Sequence, residues 1–226
     1  YIWLGTQDGL VRFDGITFMW YSRDKFPQVK ISEARTLYVD QKGTLWIGDS
    51  FEGLIAYKED EFTTYPATVY KSLSKISAIS EDRKGNLWIG SFSEGLTCMN
   101  NGKFDAYTTA DGLPANEVRA IYKDERKDLW ITTEAGIVKM SEPGVFQTKI
   151  NNSEFPEVMT ACLYKEDSKE LWFGVVGRYL HRKKNDKYEN YGPGHGIPCK
   201  TLTCLYEDNK KNLWIGTDGG GLARLN

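Results

Sequence analysis

A chain of 226 residues with 40% hydrophobic and 13% aromatic side chains can bury a sizeable core, which excludes a disordered segment. Its 29 basic and 31 acidic residues leave a net charge of -2 with no basic run, and no apolar stretch approaches the roughly 20 residues that span a bilayer. Nucleic acid and direct membrane contact are therefore not expected, and any targeting or membrane segment would lie outside these residues.

In chain order the first element is Ile2-Trp3-Leu4-Gly5, and the same phrase returns as Leu45-Trp46-Ile47-Gly48, Leu87-Trp88-Ile89-Gly90, Leu129-Trp130-Ile131-Thr132, Leu171-Trp172-Phe173-Gly174 and Leu213-Trp214-Ile215-Gly216. These tryptophans stand 43 residues apart once and 42 apart four times, the mark of a repeat architecture. Within a unit, a first strand is predicted through Val118-Arg119-Ala120-Ile121-Tyr122 and its copies, followed by a tight turn such as Asp82-Arg83-Lys84-Gly85-Asn86. The tryptophan phrase is the second strand. Gly9-Leu10, Gly53-Leu54, Gly95-Leu96 and Gly221-Leu222 open the third, and Phe62 with Tyr65, Phe104 with Tyr107 and Tyr188 with Tyr191 mark the fourth. Four strands in 42 residues leave no room for a helix.

The first strand pairs a small residue (Thr36, Ala78, Ala120, Cys162, Cys204) with an aliphatic one directly after it (Leu37, Ile79, Ile121, Leu163, Leu205). Neighbouring strand residues face opposite sides, so both faces of each sheet must be covered. Sheets sandwiched between sheets around an axis satisfy that, and the fold expected is an all-β propeller of four-stranded antiparallel blades. Twenty-two strands give about five and a half blades, expected to be part of a larger, seven-bladed ring. The chain reads as a single propeller region, 1–226, in units 1–30 (partial), 31–72, 73–114, 115–156, 157–198 and 199–226 (partial). Cys162 and Cys204, at the small position, read as buried packing residues, and Cys98 and Cys199 have no metal-like spacing.

The segment Asp111-Gly112-Leu113-Pro114, with Asn116, Val118, Asp124, the Leu-Trp-Ile phrase and Gly136-Ile137 behind it, resembles the two-component regulator propeller repeat. The phrase Asp-x-x-Gly-x-Leu-Trp-Ile-Gly, at 40–48 and 82–90, is the most specific part of the likeness; the fifth unit departs from it with Glu166 in place of Asp and Gly177-Arg178 in place of Gly-Leu. The resemblance implies the periplasmic sensor region of a hybrid two-component histidine kinase, responding to an oligosaccharide, with the rest of the receptor chain and a receptor homodimer as partners. Catalysis would belong to a kinase domain that these residues do not include, and no cofactor or metal is implied.

The repeated Asp40, Asp82, Asp124 and Asp208 read as turn residues rather than catalytic acids, and the tryptophans as core rather than sugar platforms. His181 and His195 are the two histidines, and no nucleophile, zinc or phosphate-loop motif accompanies them. In a propeller, the loops from second to third strands and from blade to blade share one face. They hold Asp49, Ser50, Phe51 and Glu52; Phe92, Ser93 and Glu94; Thr133 and Glu134; Asp218; and Phe26, Tyr70, Asn116, Phe155 and His195. With Arg35 and Arg119 from the first strands, the candidate ligand residues are Arg35, Asp49, Phe51, Phe92, Glu94, Arg119, Glu134, His195 and Asp218, aromatics for stacking and charges for hydroxyl hydrogen bonds. A propeller glycosidase or lyase and a protein-recruiting scaffold are the rival readings.

Overall fold

The computed structural model describes residues 1–22, 31–151, 159–165, 169–177, 179–198 and 201–225, with backbone alone for 159–165. Phe26, Phe155, Glu166, Arg178 and Cys199 lie outside the described residues, as do the side chains of Cys162 and Leu163.

Two compact units are present. The first, residues 1–111 with 116–118, holds three sheets. They are β1 (Ile2–Thr6), β2 (Gly9–Phe13) and β3 (Phe18–Tyr21); β4 (Ala34–Val39), β5 (Leu45–Asp49), β6 (Gly53–Lys58) and β7 (Glu61–Pro66); and β8 (Ile76–Glu81), β9 (Leu87–Ser91), β10 (Leu96–Asn100) and β11 (Lys103–Tyr107). The second unit takes 112–115 and 119–226. Its sheets are β12 (Val118–Lys123), β13 (Leu129–Thr133), β14 (Gly136–Glu142) and β15 (Val145–Asn151); β16 (Met159–Lys165), β17 (Glu170–Val175), β18 (Tyr179–Lys184) and β19 (Lys187–Tyr191); and β20 (Leu202–Glu207), β21 (Leu213–Thr217) and β22 (Gly221–Leu225). All pairings described within these sheets are antiparallel, and the helical residues among those described are three single 3-10 turns at 71–73, 109–111 and 193–195. In the four complete sheets the third and fourth strands are joined by two-residue hairpins: Asn101 and Gly102 between Asn100 and Lys103, for example, both have the positive φ that such a turn requires.

The two-sided burial read from the first strands has a consistent polarity. Trp3, Leu10 and Tyr21 of the first sheet pack on Leu45, Ile47 and Ile55 of the second. The opposite face of that second sheet presents Trp46, Leu54 and Ala56 to Ile76, Ile79, Leu87 and Ile89 of the third. In the second unit Trp130 and Ile137 meet Leu171 and Phe173, and Trp172 and Leu180 meet Leu202, Leu213 and Ile215. Within each unit a sheet thus gives its tryptophan face to the next sheet and receives the previous one on its Leu/Ile face.

The small position faces the glycine of the phrase across the strand pair: Thr36 opposite Gly48, Ala78 opposite Gly90, Cys204 opposite Gly216. A Cβ on Gly48 would lie 2.5 Å from both Thr36 Cγ2 and Ile76 Cγ2, so a larger pair cannot be accommodated there. Cys204 corrects one expectation. It sits in the predicted place over Gly216 yet is exposed, because no sheet among those described covers that side of β20–β22. Cys98 is buried on β10, and that burial pushes its thiol up to about 11.

The repeated aspartates are turn residues, and they also hold the tryptophans. In Asp82, Oδ1 accepts the backbone N–H groups of Lys84 (2.8 Å) and Asn86 (3.0 Å), while Oδ2 accepts Asn86 Nδ2 (2.8 Å) and the indole N–H of Trp88 (2.9 Å). Asp40, Asp124 and Asp208 take the indole N–H of Trp46, Trp130 and Trp214 at the same 2.9 Å. The fifth unit solves the problem differently. There β16 is slipped by one residue against the phrase, with Ala161 rather than Cys162 opposite Gly174, and Glu170 accepts the Trp172 indole N–H at 3.3 Å.

Although burial alone would raise it, the Asp82 carboxyl lies below its ordinary range because of the hydrogen bonds from Trp88 and Asn86. A depressed folded-state pKa stabilises fully above the unfolded value near 3.9, and that stability is lost as pH falls through the folded value. Asp82→Ala is expected to cost about 1–3 kcal/mol at neutral pH through unpaired donors, and to lose less stability than the parent between about pH 4 and pH 2; urea unfolding across that range measures both. Trp88→Ala, which empties a fully buried site, should cost about 3–5 kcal/mol in the same assay.

Candidate functional site

In five of the six units the turn after the second strand is built by one oxygen-bearing side chain, three residues beyond the tryptophan, a place that Val175 holds in the fifth. Thr6 Oγ1 donates to the Gly9 carbonyl, Thr133 Oγ1 to that of Gly136 and Thr217 Oγ1 to that of Gly221. Ser91 Oγ donates to the Ser74 carbonyl at 2.7 Å and accepts the N–H groups of Ser93 and Glu94, both at 3.1 Å. Asp49 does most. Its Oδ1 accepts the N–H groups of Phe51 and Glu52 and its Oδ2 those of Ser32 and Glu33, all at 2.8–2.9 Å, and the residue is fully buried.

This places Asp49 differently from the sequence expectation. It is enclosed beneath the loops with its oxygens on backbone donors, so it holds the site rather than facing a ligand. The sequence carried the signal in Thr6, Asp49, Ser91, Thr133 and Thr217, a run of oxygen-bearing side chains at one repeat position interrupted only by Val175.

Above that scaffold in the first unit, several candidates come together. The Arg35 guanidinium lies 4.7 Å from the centroid of the Phe92 ring and 3.5 Å from Glu33 Oε1. Glu33 was not singled out from the sequence, because it precedes the strand and belongs to no repeated phrase. Phe92 is anchored by its backbone N–H to the Lys75 carbonyl at 3.1 Å, and Glu94 faces Lys71 at 3.6 Å. Phe51 is 71% exposed although Asp49 fixes its backbone. Ser32 Oγ lies 3.4 Å from Glu52 Oε1, completing a rim of carboxylates, arginine and two phenylalanines.

The other four candidates belong to the second unit. Arg119 is half-buried near the start of β12, and Glu134 is exposed beside Thr133 on the β13–β14 turn. Asp218 is exposed, with its N–H on the Thr201 carbonyl at 2.9 Å. His195 ends a 3-10 turn, where its Nδ1 accepts the Gly192 N–H at 3.3 Å and its ring lies 5.0 Å from that of Tyr191. His181 is buried on β18, stacked on Phe173. Among the described residues no cluster of His, Cys, Asp and Glu has metal-binding geometry, and no helix is long and apolar enough to cross a membrane.

Separate roles for holder and surface have a measurable consequence. Asp49→Ala should cost about 1–3 kcal/mol by leaving buried N–H groups without an acceptor, whereas Phe51→Ala should change stability by no more than about 0.5 kcal/mol. Chemical denaturation of the two variants distinguishes them.

Residues 71–93, 112–135 and 196–219 match the family described as "Two component regulator propeller". No curated protein matches the chain in sequence. Among solved structures, the extracellular domain of a protein described as a one component system from B. thetaiotaomicron is similar with a TM-score of 0.72 and 21% identity, over 99% of this chain and 32% of that one. A second extracellular domain, described as that of a hybrid two component system from the same organism, has a TM-score of 0.52 and 19% identity over 99% of this chain and 36% of that one. A catalytically inactive virginiamycin B lyase from Staphylococcus aureus, solved with quinupristin, has a TM-score of 0.71 and 15% identity, over 97% of this chain and 77% of that one. The chain therefore spans about a third of the length of the two extracellular domains. With the repeated four-stranded antiparallel sheets, these likenesses establish a β-propeller fold.

Proposed function

We propose that this chain, three of whose repeats match the two-component regulator propeller family, is the ligand-sensing propeller of a hybrid two-component sensor, lies outside the cytoplasmic membrane in the periplasm, and responds to an oligosaccharide. The observation that carries the reading is the rim in the first unit: Phe51 exposed on a turn fixed by Asp49, and Phe92 under the Arg35 guanidinium, which also meets the Glu33 carboxylate. A pyranose offers an apolar C–H face and a ring of hydroxyls. The phenylalanines suit the first, and Arg35, Glu33, Glu52 and Glu94 suit the second.

The extracellular domains with this fold support a sensing role, and the chemistry of the turns supports recognition rather than turnover. The most deeply placed carboxylate of the rim, Asp49, is held by four backbone donors and serves as scaffold. Signal output would come from receptor segments beyond these 226 residues, so the task left to this region is to bind and to transmit.

Calorimetry of the chain against a panel of oligosaccharides tests the reading. The double variant Phe51→Ala, Phe92→Ala should weaken binding by about 1–3 kcal/mol, roughly five- to a hundredfold, with the melting temperature nearly unchanged. Equal binding by parent and double variant would remove the site from this rim. Hydrolysis of aryl glycosides that disappears on changing Glu33, Glu52 or Glu94 would replace sensing with catalysis.

A further inference from the structure

We infer that Tyr179, Tyr191 and His195 of the fifth unit form a second sugar-binding site, suited to an uncharged pyranose of an oligosaccharide. This site rests on the reading of the chain as an oligosaccharide sensor and is independent of the first-unit rim. Strand register singles out Tyr179. It pairs with Val175 as Gly9 pairs with Thr6, Gly53 with Asp49, Gly136 with Thr133 and Gly221 with Thr217. Tyr179-Leu180 is therefore the fifth unit's counterpart of the Gly-Leu pair, two residues later than the sequence places it.

The place is hostile to a side chain. Gly9, Gly53, Gly95, Gly136 and Gly221 all have positive φ, and at the first four an added Cβ would lie 2.3–2.6 Å from the carbonyl oxygen of Tyr21, Tyr65, Tyr107 or Ile150. Tyr179 keeps this backbone, with φ 72°, a conformation that bulky residues rarely adopt. Strain of this kind gathers at ligand sites. The neighbouring strand has made room for the ring. Tyr191 is followed by Gly192, whereas its counterparts Tyr21, Tyr65, Tyr107 and Ile150 are followed by Ser22, Pro66, Thr108 and Asn151. A Cβ on Gly192 would lie 3.4–3.6 Å from three atoms of the Tyr179 ring, which therefore rests against this glycine.

Gly192 also gathers the other two residues. Its N–H is accepted by His195 Nδ1 at 3.3 Å, and the His195 ring lies 5.0 Å from that of Tyr191. Tyr191 is fixed in turn, with its ring 5.1 Å from that of Trp172 and its hydroxyl donating to Glu189 at 2.9 Å. With Nδ1 serving as acceptor, a neutral His195 carries its hydrogen on Nε2, a donor. His195 is exposed, and Tyr179 and Tyr191 are half-buried. Aromatic rings suit the C–H face of a pyranose, and the imidazole N–H suits its hydroxyls. Glu189, the carboxylate bonded to Tyr191, is neutralised by the Arg182 guanidinium, so the group favours a sugar without charge.

Proton magnetic resonance of the imidazoles tests this, with maltohexaose, cellohexaose, xylohexaose and laminarihexaose titrated into the 226-residue chain. The chain has two histidines, so His195 reports on the site while the buried His181 serves as control. At least one of these sugars should shift the His195 resonances, in the parent and in the double variant Phe51→Ala, Phe92→Ala alike. Tyr179→Gly, which suits the left-handed backbone, should melt near the parent temperature and weaken this binding by about fivefold or more. If it melts early, Tyr179→Asn, which tolerates the same φ, replaces it. His195 resonances unmoved by every sugar, or a shift that keeps parental affinity in the Tyr179 variant, overturn the proposal, as does a shift lost in the double variant. Calorimetric binding without a His195 shift overturns this site and leaves the first-unit rim standing.

Discussion

The structure depends on one hydrogen bond repeated from sheet to sheet: a carboxylate accepting the indole N–H of a buried tryptophan. An indole inside a core contributes a large apolar area but carries a donor that must be satisfied. By placing an aspartate six residues earlier, on the turn that feeds the strand, four of the repeats satisfy that donor and close the turn with one side chain. The tryptophan is thereby fixed in orientation as well as depth. Its fixed face is the surface on which the next sheet packs, so local turn chemistry sets the geometry between sheets. The fifth unit shows that the interaction, rather than the position, is retained. Its first strand is slipped by one residue and the acceptor is Glu170, two residues before the tryptophan.

At the other end of the same strand a second oxygen-bearing side chain closes the turn into the third strand. The second strands β5, β9, β13 and β21 are pinned at both ends, which leaves the residues between Asp49 and Gly53, or between Ser91 and Gly95, free to vary without loss of scaffold. Phe51 illustrates the result: its backbone is immobilised by a buried carboxylate while its ring stands in solvent. Preorganised exposure of this sort limits the entropy lost when a ligand is bound, which is the property a sensing surface requires.

Most of the fold was legible from the sequence because it repeats. The tryptophan phrase, the Gly-Leu pair and the fourth-strand aromatics located the strands, and the adjacent small and aliphatic residues of the first strands announced burial on two sides. Two kinds of information were not legible. Long-range partners such as Glu33 beside Arg35, or Phe92 beneath it, depend on how consecutive sheets are offset, and no spacing in the chain states that offset. Exposure was misjudged where a repeat position loses its neighbour: Cys204 follows the pattern in its place over Gly216 and departs from it in being exposed. Asp49 read as a ligand group because aspartate on a loop is ambiguous by itself. Its comparison with Thr6, Ser91, Thr133 and Thr217 at the same position removes the ambiguity, since hydroxyls serving the same turn mark the position as scaffold.

The polarity of the packing carries a further consequence. Every sheet presents tryptophan on one side and leucine or isoleucine on the other, so a neighbour can be added in one orientation only, with unlike faces meeting. A stack of identical faces could pair two by two and terminate; a stack of unlike faces cannot satisfy itself except by closing into a ring or by taking another member of the same kind. This directionality comes directly from the alternation of side chains along the second strand: Trp46 lies on one side, and Leu45 and Ile47, its immediate neighbours, lie on the other. A two-residue alternation in sequence therefore fixes which way the whole array can grow.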